Sequence, residues 1–166
     1  MRRADRQVTD LSAIRAILQS EMHLHLAMCD GELPYIVPMN YGYELTDSGV
    51  LTLYLHCADE GKKLDLLRAN PRVCFEISHA GKIVTGKTTS GWTMKYRSII
   101  GRGTAVIETD PADKSRSLLA ILRHAGYTGC ADFEPAMLKR TLTLCIHVQD
   151  YTAKSNILPD EEGSAQ

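Results

Sequence analysis

Apolar and polar residues alternate with a period of two through most of this chain, and only a few short stretches shift to the helical period. From Met22 to Met28, Leu24, Leu26 and Met28 alternate with His23, His25 and Ala27; Asp30-Gly31 then gives a strong hairpin signal before a second alternating run from Leu33 to Leu45. Asp47-Ser48-Gly49 makes the next turn, Val50 to Leu55 reads as a third strand and Arg72 to Ser78 as a fourth. Ala80 to Ser90 is polar and rich in Gly and Thr, a loop or a long hairpin tip. Thr93 to Glu108 exceeds one flat strand, and Gly101 and Gly103 within it predict a bend or bulge where a sheet curls towards a barrel. Leu142 to Val148 is the last alternating segment.

The helical stretches have clear ends. Thr9 or Asp10 caps a helix over about residues 10 to 20 with Leu11, Ile14, Ile17 and Leu18 on one face. Asp110 caps another, with Pro111 at its first position, Leu118, Leu119, Ile121 and Leu122 as the buried stripe and Gly126 beyond its end. Shorter helices are expected from Lys62 to Ala69, stopped by Asn70-Pro71, and from about Glu134 to Arg140. Consecutive strands joined by short turns are antiparallel, which excludes the strand-helix alternation of a dinucleotide-binding sheet.

At 166 residues the chain is most simply one domain, residues 1–155, followed by a polar tail over 156–166. Nineteen basic against twenty acidic residues leave a net charge of −1, which argues against non-specific nucleic-acid or membrane-surface binding and for a small partner. Cys29, Cys57, Cys74, Cys130 and Cys145 are odd in number and form no C-x-x-C pair, so reduced thiols are expected. With no apolar leader behind Met1-Arg-Arg-Ala-Asp-Arg6 and no long apolar run, a cytoplasmic location is expected.

The candidate chemistry lies between the second strand and the lysine helix. Gly61-Lys62-Lys63 opens a helix, where unpaired amides and two ammonium groups can hold a phosphate; a solvated surface helix fits the same residues. Pro38, inside Pro34-Tyr-Ile-Val-Pro-Met-Asn-Tyr-Gly-Tyr43, marks an edge or a gap in the sheet. Free backbone groups beside it can bind the rim of a planar heterocycle, or the proline only guards an edge. His56 ends the third strand within reach of whatever the lysines hold, or caps a turn there. Cys57 follows it beside the lysines. Tyr96-Arg-Ser98-Ile-Ile-Gly101-Arg102-Gly103 adds a hydroxyl and cations on the long strand. His23 and His25 share a face but find no third metal ligand, so no metal site is assigned. G-x-S-x-G, Walker and H-E-x-x-H motifs are absent.

Tyr35 to Tyr43, Leu53-Tyr-Leu-His56, Gly61 to Phe75 and Tyr96 to Gly101, in that order, resemble the pyridoxamine 5′-phosphate oxidase-like split barrels, and within them the nitroimidazole-resistance (Nim-like) branch. The resemblance implies a mainly β fold with flanking helices: a six-stranded antiparallel split β-barrel binding FMN between two subunits of a homodimer. It implies that Tyr35, Ile36, Val37, Pro38, Met39 and Asn40 line the isoalloxazine and ribityl chain. His56 and Cys57 then close on the cofactor, Lys62 and Lys63 hold its phosphate, and Ser98 makes a contact from the long strand. His56 matches the Nim-like histidine beside the flavin and is the candidate catalytic residue. The oxidases' cationic residues near the C-terminus are missing, since only Thr152-Ala-Lys-Ser155 precedes an acidic tail. Vitamin B6 phosphate oxidation is therefore not expected, and Ala153 stands where Nim-like chains carry glycine. The expectation is an FMN-dependent oxidoreductase reducing a small electron-poor substrate, such as a nitroimidazole or other nitroaromatic, with a nicotinamide as a candidate donor. The alternatives are a non-catalytic flavin- or haem-binding module and a deazaflavin binder of the same fold.

Overall fold

The computed structural model describes residues 3–157. A 3-10 turn at Ala4–Arg6 leads into β1 (Gln7–Val8) and α1 (Leu11–Ser20), then β2 (His23–Asp30), β3 (Leu33–Leu45) and β4 (Leu51–Ala58). After α2 (Lys62–Ala69) come β5 (Arg72–Val84) and β6 (Thr93–Glu108), then α3 (Pro111–His124), α4 (Pro135–Arg140) and β7 (Thr141–Ser155). The strands lie in the order β1-β7-β4-β3-β2-β5-β6, and β6 pairs back onto β7. β2 to β7 thus close a six-stranded antiparallel ring, with β1 as a short addition on β7.

The period-two pattern sends Leu24, Leu26, Leu53, Leu55, Phe75, Ile77, Ile99, Leu144 and Ile146 into the barrel, all essentially inaccessible. Asp10 caps α1 through Ala13 N at 2.8 Å, and Ile14, Ile17 and Leu18 plug one end of the barrel. Tyr41 Oη, buried in the core, donates to Leu18 O at 2.6 Å and ties that plug to β3. On the outside, α3 sits directly on β3 because Gly42 has no side chain: a Cβ there would lie 2.4 Å from Ala120 C and Ile121 N.

β4 continues past the expected Leu55 to Ala58, which places His56 and Cys57 within the strand, and two strands run much further than the alternation predicts. β5 continues beyond Ser78 to Val84, with a register shift between Ala80 and Ile83, and β7 continues beyond Val148 to Ser155. Both pair with the long β6, Val84 opposite Thr93 and Ser155 opposite Arg97, so backbone pairing outlasts the hydrophobic pattern. Only the end of the Ala80 to Ser90 segment is a loop, with a 3-10 turn at Thr89–Gly91. The expected bend is present as a shift of the β6–β7 register between Arg102 and Gly103. The polar tail expected from 156 onwards lies almost wholly outside the described residues. Among the described residues the five cysteines are free thiols, and no helix is long and apolar enough to cross a membrane.

Candidate functional site

β3 and β4 pair only from Tyr41 opposite Leu55 to Leu45 opposite Leu51. Beyond that point they part. Residues 33–40 of β3 pair with β2 alone, and His56, Cys57 and Ala58 of β4 pair with β7 alone. Pro38, opposite His25, stands in the parted segment, where its missing N–H leaves no ladder bond unmade across the seam. The gap read from Pro38 is this opening of the barrel.

α2 begins on the β4 side of the opening. Gly61 takes φ 121°, a conformation that glycine adopts freely, and it turns the chain sharply from β4 into the helix. No side chain caps the helix start; Leu64 N and Asp65 N bond to Gly61 O, and the amides of Lys62 and Lys63 remain available to an anion. Lys62 Nζ reaches back across the opening to Asp30 Oδ2 at 2.5 Å and lies 5.0 Å from the centre of the Tyr35 ring. That contact with Asp30 holds the ammonium above its ordinary pKa. The Cys57 thiol is half-buried; burial pushes its pKa up while the Lys63 charge pulls it down.

The structure therefore brings together Tyr35 to Asn40 on β3, His56 and Cys57 at the end of β4, and Lys62 and Lys63 at the start of α2. Ile36, Pro38 and Asn40 are exposed, Tyr35 and Val37 are half-buried, and Met39 is buried in the core. Met39 thus points away from the surface of the opening, because its odd-numbered register faces the barrel interior. His56 is exposed and no side chain among the described residues hydrogen-bonds it. Ser98 is not part of this cluster within one chain: it lies on β6 between Ser78 of β5 and Lys154 of β7. Asp30 is the residue that sequence reasoning missed; its Asp-Gly turn signal gave it a local role, and nothing in the spacing pairs it with Lys62, thirty-two positions on.

An antiparallel ring that parts between β3 and β4, beside a helix that starts uncapped, defines a split β-barrel. The family model described as pyridoxamine 5′-phosphate oxidase matches residues 10–155, and the chain belongs to that family. No curated protein matches it. Among solved structures, a Bacteroides thetaiotaomicron protein named for a proposed role in 5-nitroimidazole antibiotic resistance is similar at 29% identity and TM-score 0.77, covering 90% of this chain and 86% of that one. The flavocytochrome Anf3 from Azotobacter vinelandii shares the fold at 16% identity and TM-score 0.75, over 100% of this chain and 78% of its own. An FAD and heme binding protein from Mycobacterium smegmatis does so at 16% identity and TM-score 0.73, over 97% and 80%.

Proposed function

We propose that this chain binds FMN in the opening between β3 and β4 and acts as an FMN-dependent oxidoreductase on a small electron-poor substrate, such as a nitroimidazole or other nitroaromatic. The observation that carries the reading is the parting of β3 and β4 beside the uncapped start of α2. One side offers a free strand edge with exposed Pro38 and Asn40, suited to the rim of a planar heterocycle. The other offers two free amides and two ammonium groups, suited to a phosphate. When bound, the flavin supplies the two-electron chemistry, and the protein supplies binding, orientation and the surrounding field. Lys63 and the helix amides hold the phosphate, Lys62 exchanges Asp30 for it, and the backbone of Tyr35 to Asn40 orients the ring. His56 faces solvent at the mouth and is placed to donate a hydrogen bond to cofactor or substrate.

The working unit is a homodimer. Ile36 and Ile100 are 58% and 51% exposed on the outward face of the sheet, and Ile83 and Trp92 of the β5–β6 hairpin are 65% and 59% exposed. Ser98 stands on the outward face with Ile100, so a second copy packed there delivers Ser98 to the opening, which one chain alone does not.

Fluorescence titration of FMN tests the site. Replacing Lys62 and Lys63 together by alanine weakens binding, each charge-assisted contact contributing about 1.5–3 kcal/mol. Unchanged affinity in the double variant would remove the phosphate assignment. The isolation of His56, with no residue orienting it, favours a second reading, a flavin-binding module without turnover. Stopped-flow reduction by NADH or NADPH followed by reoxidation with a nitroimidazole separates the two, since rapid turnover excludes the pure binder.

A further inference from the structure

A second cleft, about 280 Å³, lies away from the strand opening, between α1 and α3 over the far end of β3. Its origin is local. Gly42 lets α3 approach β3 closely, and Arg116, Leu119, Ala120 and Arg123, spaced on one stripe of α3, then face Arg15 and Gln19 on α1 across Tyr43 and Glu44.

The walls carry three guanidinium groups against the single carboxylate of Glu44. Arg15 is held in place by donating through Nη2 to Leu45 O at 3.0 Å. Arg116 is shared between Asp113 at 3.0 Å and Glu108 at 3.6 Å. Arg123 is exposed and forms no ion pair with any described residue. The Glu44 carboxylate already accepts from Tyr54 Oη at 2.9 Å. A polar chain lines the floor: Tyr43 Oη donates to Gln19 Oε1 at 3.2 Å, and Gln19 Nε2 donates to His124 O at 3.4 Å. His124 is 5% exposed and donates through Nε2 to Glu21 O at 2.7 Å, which leaves Nδ1 a buried acceptor with no donor. The Tyr43 ring and Leu119 supply an apolar wall. With Arg116 neutralised by its two carboxylates, Arg15 and Arg123 still outnumber Glu44, and this positive charge, an apolar side and a volume too large for a bare inorganic anion define the complementary ligand.

We propose that the α1–α3 cleft is a binding site for a small organic carboxylate carrying an apolar body, held by Arg15 and Arg123 and separate from the flavin opening. The separation makes the site independent of the reading above, because none of its residues belongs to the opening.

The test is calorimetric titration of the full chain at low salt with 4-hydroxybenzoate and with its uncharged counterpart 4-hydroxybenzamide, each with and without FMN. The expected result is saturable binding of the carboxylate and at least tenfold weaker binding of the amide. Arg123→Gln and Arg123→Glu weaken the carboxylate by about tenfold or more, as loss of one charge-assisted contact requires, with the thermal midpoint unchanged. Added FMN leaves the carboxylate affinity unaltered. Equal binding of acid and amide, unaltered affinity in both Arg123 variants, displacement by FMN, or no binding at millimolar ligand would each overturn the proposal.

Discussion

Glu108 ends β6 with its carboxylate beneath α3, where Oε2 accepts from Ser117 Oγ at 2.6 Å and from Thr143 Oγ1 at 2.7 Å. A buried carboxylate so placed depends on its donors, and removing one leaves the charge short of the partners that offset its desolvation. Ser117→Ala should lower the unfolding free energy by about 1.5–3 kcal/mol in urea denaturation; a loss below about 0.5 kcal/mol, the size of an ordinary surface substitution, would contradict the account. Burial, reinforced by Glu108, pushes the neighbouring Cys145 thiol up to about 11, so this cysteine belongs to the packing rather than to redox chemistry. At His124, burial lowers the imidazole pKa below 6.5 although its bond to Glu21 O opposes the shift. Because the unfolded ring binds a proton more readily, folding carries no penalty from this group above pH 6.5, and stability falls as pH drops from there to the folded value. A proton NMR titration should place the His124 midpoint below 6.5, whereas a midpoint at or above it would refute the sign. Neither Glu108 nor His124 was legible as special in the sequence, since each is a polar residue at the end of an element and is buried by residues distant in the chain, Glu108 by α3 and His124 by the end of α1 and the rings of Tyr41 and Tyr43.

Among the elements, the ends of α1 and α3 were readable almost to the residue, because Asp10 and Asp110 cap them by side-chain bonds to the next backbone amides. Apolar spacing gave the buried face of α1 alone: on α3 only Leu118 of the expected stripe is buried, Leu119, Ile121 and Leu122 are half-buried, and Lys114, Ser117 and His124 are buried instead. The ends of β5 and β7 were not. Lys82, Gln149 and Asp150 break the alternation there, and the strand continues only because β6 offers a long partner ladder that no local pattern announces. The site divides in the same way. Pro38 and the Gly61-Lys62-Lys63 start carry local signals of a gap and a helix terminus, whereas the ion pair from Lys62 to Asp30 and the distance of Ser98 from the cluster depend on tertiary placement. The contact between α3 and β3 gives the sharpest element-level prediction. Gly42→Ala drives a Cβ into the α3 backbone, which has no flexible end to yield, and should destabilise the fold by about 1–3 kcal/mol with a lowered thermal midpoint. Wild-type stability in that variant would mean that α3 does not pack as described.

The whole molecule is a ring of six strands, plugged at one end by α1, covered on one outer side by α3, parted between β3 and β4 beyond Tyr41 and joined between β2 and β5 only where residues 25–27 pair with residues 74–76. Closing the ring removes most of the free edges that a sheet would otherwise expose, and the parting of β3 and β4, which adjoins the uncapped start of α2, is the opening proposed to receive a ligand. The uncovered outward face, with Ile36 and Ile100, is where a second copy is proposed to pack, and sedimentation should give a dimer whose dissociation weakens FMN binding. A monomer that bound FMN as tightly would contradict the shared site. The central claim is flavin binding at the seam, and the visible absorption spectrum of the purified protein after incubation with FMN and gel filtration tests it most directly. The account predicts flavin absorption co-eluting with the wild-type protein at one per chain and falling away in the Lys62→Ala, Lys63→Ala double variant; wild-type protein that elutes colourless would contradict it.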